Sequence, residues 1–286
     1  MPSVRDLRDR IRSLRNTQQI TKAMKQVAAA KIRRAEMAQK QARPYADAMS
    51  AMLQDLIASV GTVDHPFMRP GRAGAPHGLI VMTADKGLAG AFNTNLTRTA
   101  DLYQRRDSNV VFYAVGNKAR NSLRRLAPPT ALAVALSRGA KIDAAREVAA
   151  QVTDDFTNGK ISDIILISAE LVSRMSQRPQ TRTIVPFVAP KRETHTGPSA
   201  LVEFAPSPEA VLTRLLPKYL EFTLFSTMLE TEAAFFAAQL VAMTNATDNA
   251  NKLIDELTIS MNKARQAAIT KEMLEIVGGA EALVGA

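Results

Sequence analysis

The sequence predicts an α/β protein of unusual layout: a long antiparallel coiled coil of the N- and C-terminal helices, with a Rossmann-like α/β domain inserted between its two halves. Three observations carry this. Residues 3–43 contain neither Gly nor Pro. Residues 218–277 run for sixty positions without either. Apolar runs of strand length, alternating with helical stretches, fall between the two.

The first helix is predicted over residues 1–60. Val4, Leu7, Ile11 and Leu14 fall at the 3–4 spacing of one helix face, continued more weakly by Thr21, Ala28, Ile32 and Ala35. Ser3 is placed to cap the helix, with Asp6 taking the reciprocal role that Glu usually fills. Pro44 is expected to kink or briefly break the helix, since it donates no backbone hydrogen bond. Met49, Met52, Leu53, Leu56 and Ile57 then carry it on. Residues 61–77, rich in Gly and Pro, read as a linker.

Residues 78–205 read as the inserted domain. GLIVMTA (78–84), NVVFYAVG (109–116), DIILISAEL (163–171) and TRTIVPFVA (181–189) are strand-like runs, with helical stretches at 91–104, 117–126 and 142–156. Continuous apolar strands alternating with helices indicate a mainly parallel sheet covered on both faces.

The last segment, 206–286, holds the second long helix, and Gly278-Gly279 reads as its stop. Sixty helical residues would span roughly 90 Å, more than a compact domain of this size can bury. Its stripe of Leu240, Met243, Thr247, Ala250, Ile254, Leu257, Met261, Ala264 and Ala268 therefore needs a partner, and the N-terminal stripe is the one available. The seam is thin: Ala and Thr stand where Leu or Ile would bury most, and Gln18 and Lys25 stand at positions that should be apolar. Past about Leu257 the helix is expected to outrun its partner.

Composition narrows the function. The chain has no Cys and no Trp, so it has neither a disulfide framework nor a thiolate metal site. It has no signal-peptide core and no apolar run long enough to span a bilayer, which suits a reducing compartment. Of the net charge of +10, most lies in residues 1–44, which carry 12 Lys/Arg against 3 Asp/Glu. Such a segment suits nucleic acid, anionic lipid or an acidic protein surface.

Little catalytic chemistry is legible. TADKGLAGAFN (83–93) is a Gly-containing strand-to-helix turn, a place where phosphates bind, yet Lys86 precedes both glycines and neither phosphate-loop pattern is met. His65, His77 and His195 fall in Gly/Pro-rich loops without a second ligand at helical spacing. Asp154-Asp155 and Glu230/Glu232 read as solvated helix surface. Three functions stay open on these residues: a mechanical or interaction rod, a phosphoryl-handling α/β enzyme centred near Lys86, and a basic coiled-coil nucleic-acid binder.

ITKAMKQVAAAKIRRAE (20–36) and MTNATDNANKLIDELTISMNKARQAAITKEMLEIVGGA (243–280) closely resemble the two terminal signatures of the γ-subunit family of F-type ATP synthases, and DKGLAGAFN (85–93) resembles its central D-[RK]-G-L-x-G-x-x-N motif. The resemblance covers essentially the whole chain. It implies a non-catalytic central rotor stalk of a proton-translocating ATP synthase, coupling c-ring rotation to ATP synthesis and hydrolysis in the ring of three α and three β subunits. Implied partners are that hexamer, the ε subunit, the c-ring and an inhibitory subunit, with no nucleic acid and contact to the membrane only through the c-ring. No cofactor is implied in this chain; Mg-ATP and ADP would be held by α and β.

By resemblance, Arg265 and Gln266 would meet acidic groups of a β subunit, as would Lys22, Met24 and Lys25. Met273, Leu274, Ile276 and Val277, with Leu283 and Val284 beyond, would form the bearing tip, and Phe204, Tyr219 and Glu221 the foot toward the c-ring and ε. Two departures stand out: Phe235-Phe236 and Gln239 replace polar residues and an Arg, and Ala205 replaces an acid. The start near the mature signature, without a transit peptide, points to a bacterium, where the resemblance implies a peripheral protein on the cytoplasmic side of the inner membrane.

Overall fold

A computed structural model of the chain describes residues 3–60, 65–126, 129–136, 140–187 and 207–284. They fall into two units, residues 1–28 with 240–286, and residues 29–239. Helix α1 (Val4–Val60) and helix α5 (Pro208–Val284) contribute to both.

The first unit is a pair of helices. Ser3 Oγ accepts the Asp6 backbone N–H and Asp6 Oδ2 accepts the Ser3 N–H, each at 3.1 Å, so the expected cap forms with Asp in place of Glu. Leu7, Ile11, Thr21 and Ala28 of α1 are buried, as are Met243 and Ala250 of α5. Thr247 Oγ1 donates to Thr21 Oγ1 at 2.8 Å, and Gln18 Nε2 donates to Asn251 Oδ1. As the α1 partner moves back from 21 to 18, the α5 partner moves forward from 247 to 251, so the pair is antiparallel.

The second unit holds a five-stranded sheet of order β3-β2-β1-β4-β5. Its strands are β1 (His77–Met82), β2 (Val110–Val115), β3 (Thr130–Val134), β4 (Asp163–Ser173) and β5 (Ser176–Val185). Helices α2 (Phe92–Arg106), α3 (Asn117–Leu123) and α4 (Lys141–Thr157) complete it. Every pairing is parallel except β4–β5.

Because strand side chains alternate, Ile80, Met82, Tyr113, Val115, Ile164 and Leu166 point to one face. There they pack with α4 and with Leu53 and Leu56 of α1 and Leu212, Leu216, Leu220 and Leu224 of α5. Leu79, Val81, Phe112, Ala114, Ile165 and Ile167 point the other way, against α2, α3 and Ala234, Phe235 and Ala238 of α5. Both faces are covered, which explains the uninterrupted apolar strands. Tyr45 of α1 meets Phe222 of α5 at 4.5 Å and Lys31 Nζ stands 5.2 Å from the Phe236 ring, so the two helices are antiparallel here too.

Several sequence expectations need correcting. The α1 helix is unbroken at Pro44, and α5 starts at Pro208, passes Pro217 and continues through Gly278-Gly279. The missing N–H costs about 3 kcal/mol per Pro in a helix, but Leu216 and Leu220 beside Pro217, and Met49 and Leu53 after Pro44, are buried and hold the backbone. Strand β3 was not expected. β5 begins at Ser176 and not Thr181, and residues 188–189 of the expected run lie outside the described residues.

Asp155 is no solvated surface group. It is buried and accepts from Tyr113 Oη at 2.8 Å, Gln151 Nε2 at 3.0 Å and Lys160 Nζ at 2.8 Å. Burial opposes its charge, but the bonds from Lys160, Gln151 and Tyr113 outweigh it and hold the carboxyl below its ordinary value of 3.8. Burial and the same carboxylate push the Tyr113 phenol far above its usual range. A carboxyl depressed by folding contributes stability above its unfolded value, and that contribution is lost as pH falls through the folded value. Asp155→Ala is therefore expected to lower stability by about 1–3 kcal/mol at pH 7, by orphaning buried donors. The gap to the parent chain should narrow below the ordinary carboxyl range, as followed by urea unfolding from pH 7 to pH 3.

Candidate functional site

The helix pair presents its residues at different levels. Lys22 is exposed, with Met24 and Lys25 half-buried beside it. Arg265 and Gln266 are exposed on α5. Arg265 lies eighteen residues past Thr247, the partner of Thr21, or about 27 Å along the helix. These two groups of residues therefore lie at separate levels along one helix pair and do not form a single site.

Arg265 also marks an end. The α1 helix begins at Val4, and Ala264 is the last half-buried residue of α5 among the described side chains; every residue from Arg265 to Gly278 is exposed. Met273 is 62% exposed, Leu274 67%, Ile276 72% and Val277 55%. Large apolar side chains bare on one unpartnered helix mark a contact surface. Leu283 and Val284 complete the helix.

The foot residues differ from one another. Tyr219 packs edge-on against Phe187, ring centroids 5.2 Å apart. Glu221 is buried and holds Lys218 Nζ at 2.7 Å and Arg146 Nε at 3.3 Å, so its carboxylate is engaged within the chain. Phe204 and Ala205 lie outside the described residues.

The turn around Lys86 uses its polar groups on the backbone. Asn93 Oδ1 accepts the Ala84 N–H at 3.0 Å and Asn93 Nδ2 donates to the Lys86 carbonyl at 3.1 Å. Asp85 Oδ1 accepts the N–H groups of Asn117 and Leu136. Gly116, at φ +94°, passes so close that a Cβ there would lie 2.3 Å from the Thr83 carbonyl oxygen. In an open parallel sheet the ligand crevice lies at the carboxyl ends of strands where the order reverses, here between β1 and β4. On that side of the sheet Phe235 of α5, 5% exposed, belongs to the same buried cluster as Ala84, Ala89, Phe92, Ile167 and Ala169. Its ring stands 5.8 Å from that of Phe92.

The remaining ionisable groups are structural. His77 does not lie in a loop: it opens β1, with Nδ1 2.7 Å from Asp163 and Nε2 3.1 Å from Asp107. His65 caps the 3-10 turn Pro66–Met68 through the Phe67 N–H, and burial lowers its pKa. His195 lies outside the described residues. Glu230 and Glu232 are half-buried and paired: Glu230 accepts the Leu171 N–H at 3.4 Å, and Glu232 pairs with Lys141 at 2.9 Å. Burial raises Glu230 above the ordinary carboxyl range. Among the described residues no cluster of His, Cys, Asp or Glu could hold a metal, and no helix is long and apolar enough to cross a membrane.

Sequence reasoning missed the groups that pair across the fold: Gln18 with Asn251, Lys31 with Phe236, and Glu36 with Arg174. Gln18 carried a signal, since a polar residue at a seam position needs a facing partner; Glu36 carried none.

Residues 3–283 match the ATP synthase family. The chain is 44% identical to the ATP synthase gamma chain of Desulforamulus reducens and 41% identical to that of Paracoccus denitrificans, covering 99% of this chain and 100% of each relative. Among solved structures, a chain of the Euglena gracilis mitochondrial ATP synthase superposes with a TM-score of 0.67 at 18% identity, over 98% of this chain and 94% of that one.

If Phe235 seals the sheet crevice, Phe235→Ala should cost roughly 3–5 kcal/mol and Phe235→Leu much less, read by urea unfolding of the full chain. A loss below about 1 kcal/mol for the alanine variant would mean that neighbours, and not this ring, close the crevice.

Proposed function

Because the chain belongs to the ATP synthase gamma-chain family, we propose that it is the central rotor stalk of a proton-translocating ATP synthase, turning inside a ring of three α and three β subunits. It is a non-catalytic subunit: the reaction takes place in the ring, where α and β hold Mg-ATP and ADP, and this chain carries motion. The observation that carries the reading is the bare end of α5 beyond Arg265, apolar side chains on a single helix that only a surrounding sleeve can cover.

The assignment of roles follows from chemistry. A shaft without threefold symmetry turns a different side to each β subunit, so the three catalytic sites differ in nucleotide affinity, and rotation exchanges them. Arg265 and Gln266 offer directional donors, and a charge-assisted bond to an acidic loop is angle-sensitive, as torque transfer requires. Lys22 and Lys25, with Met24, face an acidic lever of β at the second level. The apolar tip, Met273 to Val277, makes few directional bonds and turns with little friction. The foot, with Phe204 and Tyr219, meets the c-ring and ε; Glu221 contributes there by ordering Lys218 and Arg146. The chain sits on the cytoplasmic face of a bacterial inner membrane, held through the c-ring, with an inhibitory subunit as a further partner.

Tagged chain isolated from native membranes in mild detergent should bring down α, β and ε with ATPase activity; a chain recovered alone, while other membrane complexes stay intact, overturns the reading. Within the complex, Arg265→Glu should lower ATP-driven proton pumping while leaving subunit content unchanged. Pumping at the parent rate would remove Arg265 from the coupling path.

A further inference from the structure

Strand β4 pairs with β1 only as far as Val81↔Ile167. Beyond that rung β4 continues to Ser173 and returns as β5, paired through Ser168↔Gln180, Glu170↔Arg178 and Ser173↔Ser176. This overhang is a two-stranded arm, and such a ribbon is marginal unless something holds it.

The arm is held by both long helices. On α5, Glu230 accepts the Leu171 N–H, and Ala169 and Leu171 pack in the cluster that contains Phe235; just below the arm, at the rung Leu166↔Arg182, Thr227 Oγ1 accepts from Arg182. On α1, Arg174 at the arm's tip makes a two-pronged bridge to Glu36: Nε to Oε1 at 2.9 Å and Nη2 to Oε2 at 2.7 Å. The Ser173 hydroxyl accepts the N–H groups of Met175 and Ser176, fixing the turn that aims Arg174.

We propose that the β4–β5 arm is a strap that ties α1 to α5, with Arg174 and Glu36 as its clasp, and that it keeps the helices from shearing past each other when the shaft carries torque. Twisting a two-helix cable slides one helix along the other. A thin seam of Ala and Thr resists sliding weakly, because little side-chain interdigitation opposes it. A cross-tie that grips both helices opposes it directly. The fork-to-fork geometry suits the task, since two parallel bonds fix orientation as well as distance. Arg174 and Glu36 are thus positioning residues, acting on coupling through the helix pair. This inference rests on the rotor reading, whose failure would show earlier, as a tagged chain without partners.

The test uses the membrane complex carrying Arg174→Glu, Glu36→Arg or both. Two quantities are read: the ratio of ATP-driven proton pumping to ATP hydrolysis, and hydrogen exchange of arm amides between 168 and 180. Exposed pairs contribute modestly, so Arg174→Glu is expected to speed exchange roughly fivefold and to lower the coupling ratio, with subunit content unchanged. The double variant, which restores the pair with its charges swapped, should recover both. Unchanged exchange overturns the clasp, whatever coupling does. Faster exchange with an unchanged ratio overturns the mechanical role, and so does failure of the swap to recover coupling in a complex that assembles.

Discussion

The antiparallel pairing of α1 with α5 is the constraint on which the rest depends. Neither helix is a stable object alone, because each carries an apolar stripe that water penalises and each is too long for a compact domain to wrap. The stripes are weak in different ways. Leu7 and Ile11 are ordinary seam residues, whereas Thr21, Ala28 and Ala250 bury little area each. Small residues bring the backbones close, and Gln18–Asn251 and Thr21–Thr247 then close the polar layer between the helices. A polar layer of this kind at a seam gives up stability for a defined register.

The same pairing brings α5 onto the Rossmann-like sheet. Such a sheet ordinarily keeps a crevice at its switch point. Here α5 puts Ala234, Phe235 and Ala238 in one buried cluster with side chains of α2, α3 and the strands. Glycines in the neighbouring turn serve geometry, and Asp85 and Asn93 bond to main chain. The sheet has become a mounting block for two helices, with its opposite face equally occupied by Leu212, Leu216, Leu220 and Leu224.

Periodicity made the helices and four of the five strands legible, since each buries a regular stripe or an uninterrupted apolar run. It did not reveal β3, whose TALAV is short, Ala-rich and half-buried at a sheet edge. Pro44, Pro217 and Gly278-Gly279 were read as punctuation, but local propensity is worth about 1–3 kcal/mol and flanking leucines outweigh it at the two prolines. Burial of Asp155 and pairing of Glu230 were invisible because a carboxylate's surroundings come from other elements. Glu36 and Arg174 stand 138 residues apart; no local pattern joins them. An overhang was legible because the two stripes end at different places, but it begins at Arg265 and not near Leu257, since Leu257, Met261 and Ala264 are still half-buried.

That mismatch in length has a mechanical consequence. A single helix resists twisting and bending less than a pair, so a load applied far along the overhang would be absorbed as deflection. Arg265 and Gln266 sit at the first exposed positions past the half-buried Ala264; in the proposed rotor they would be the directional donors, and force taken there would pass at once into two helices. Farther out stand the exposed Met273, Leu274, Ile276 and Val277, side chains that would grip nothing in a preferred direction and, in the proposed rotor, would turn past a sleeve without catching. The order along α5, paired helices, then hydrogen-bond donors, then a greasy tip, is the order in which a shaft would be strongest, gripped and borne.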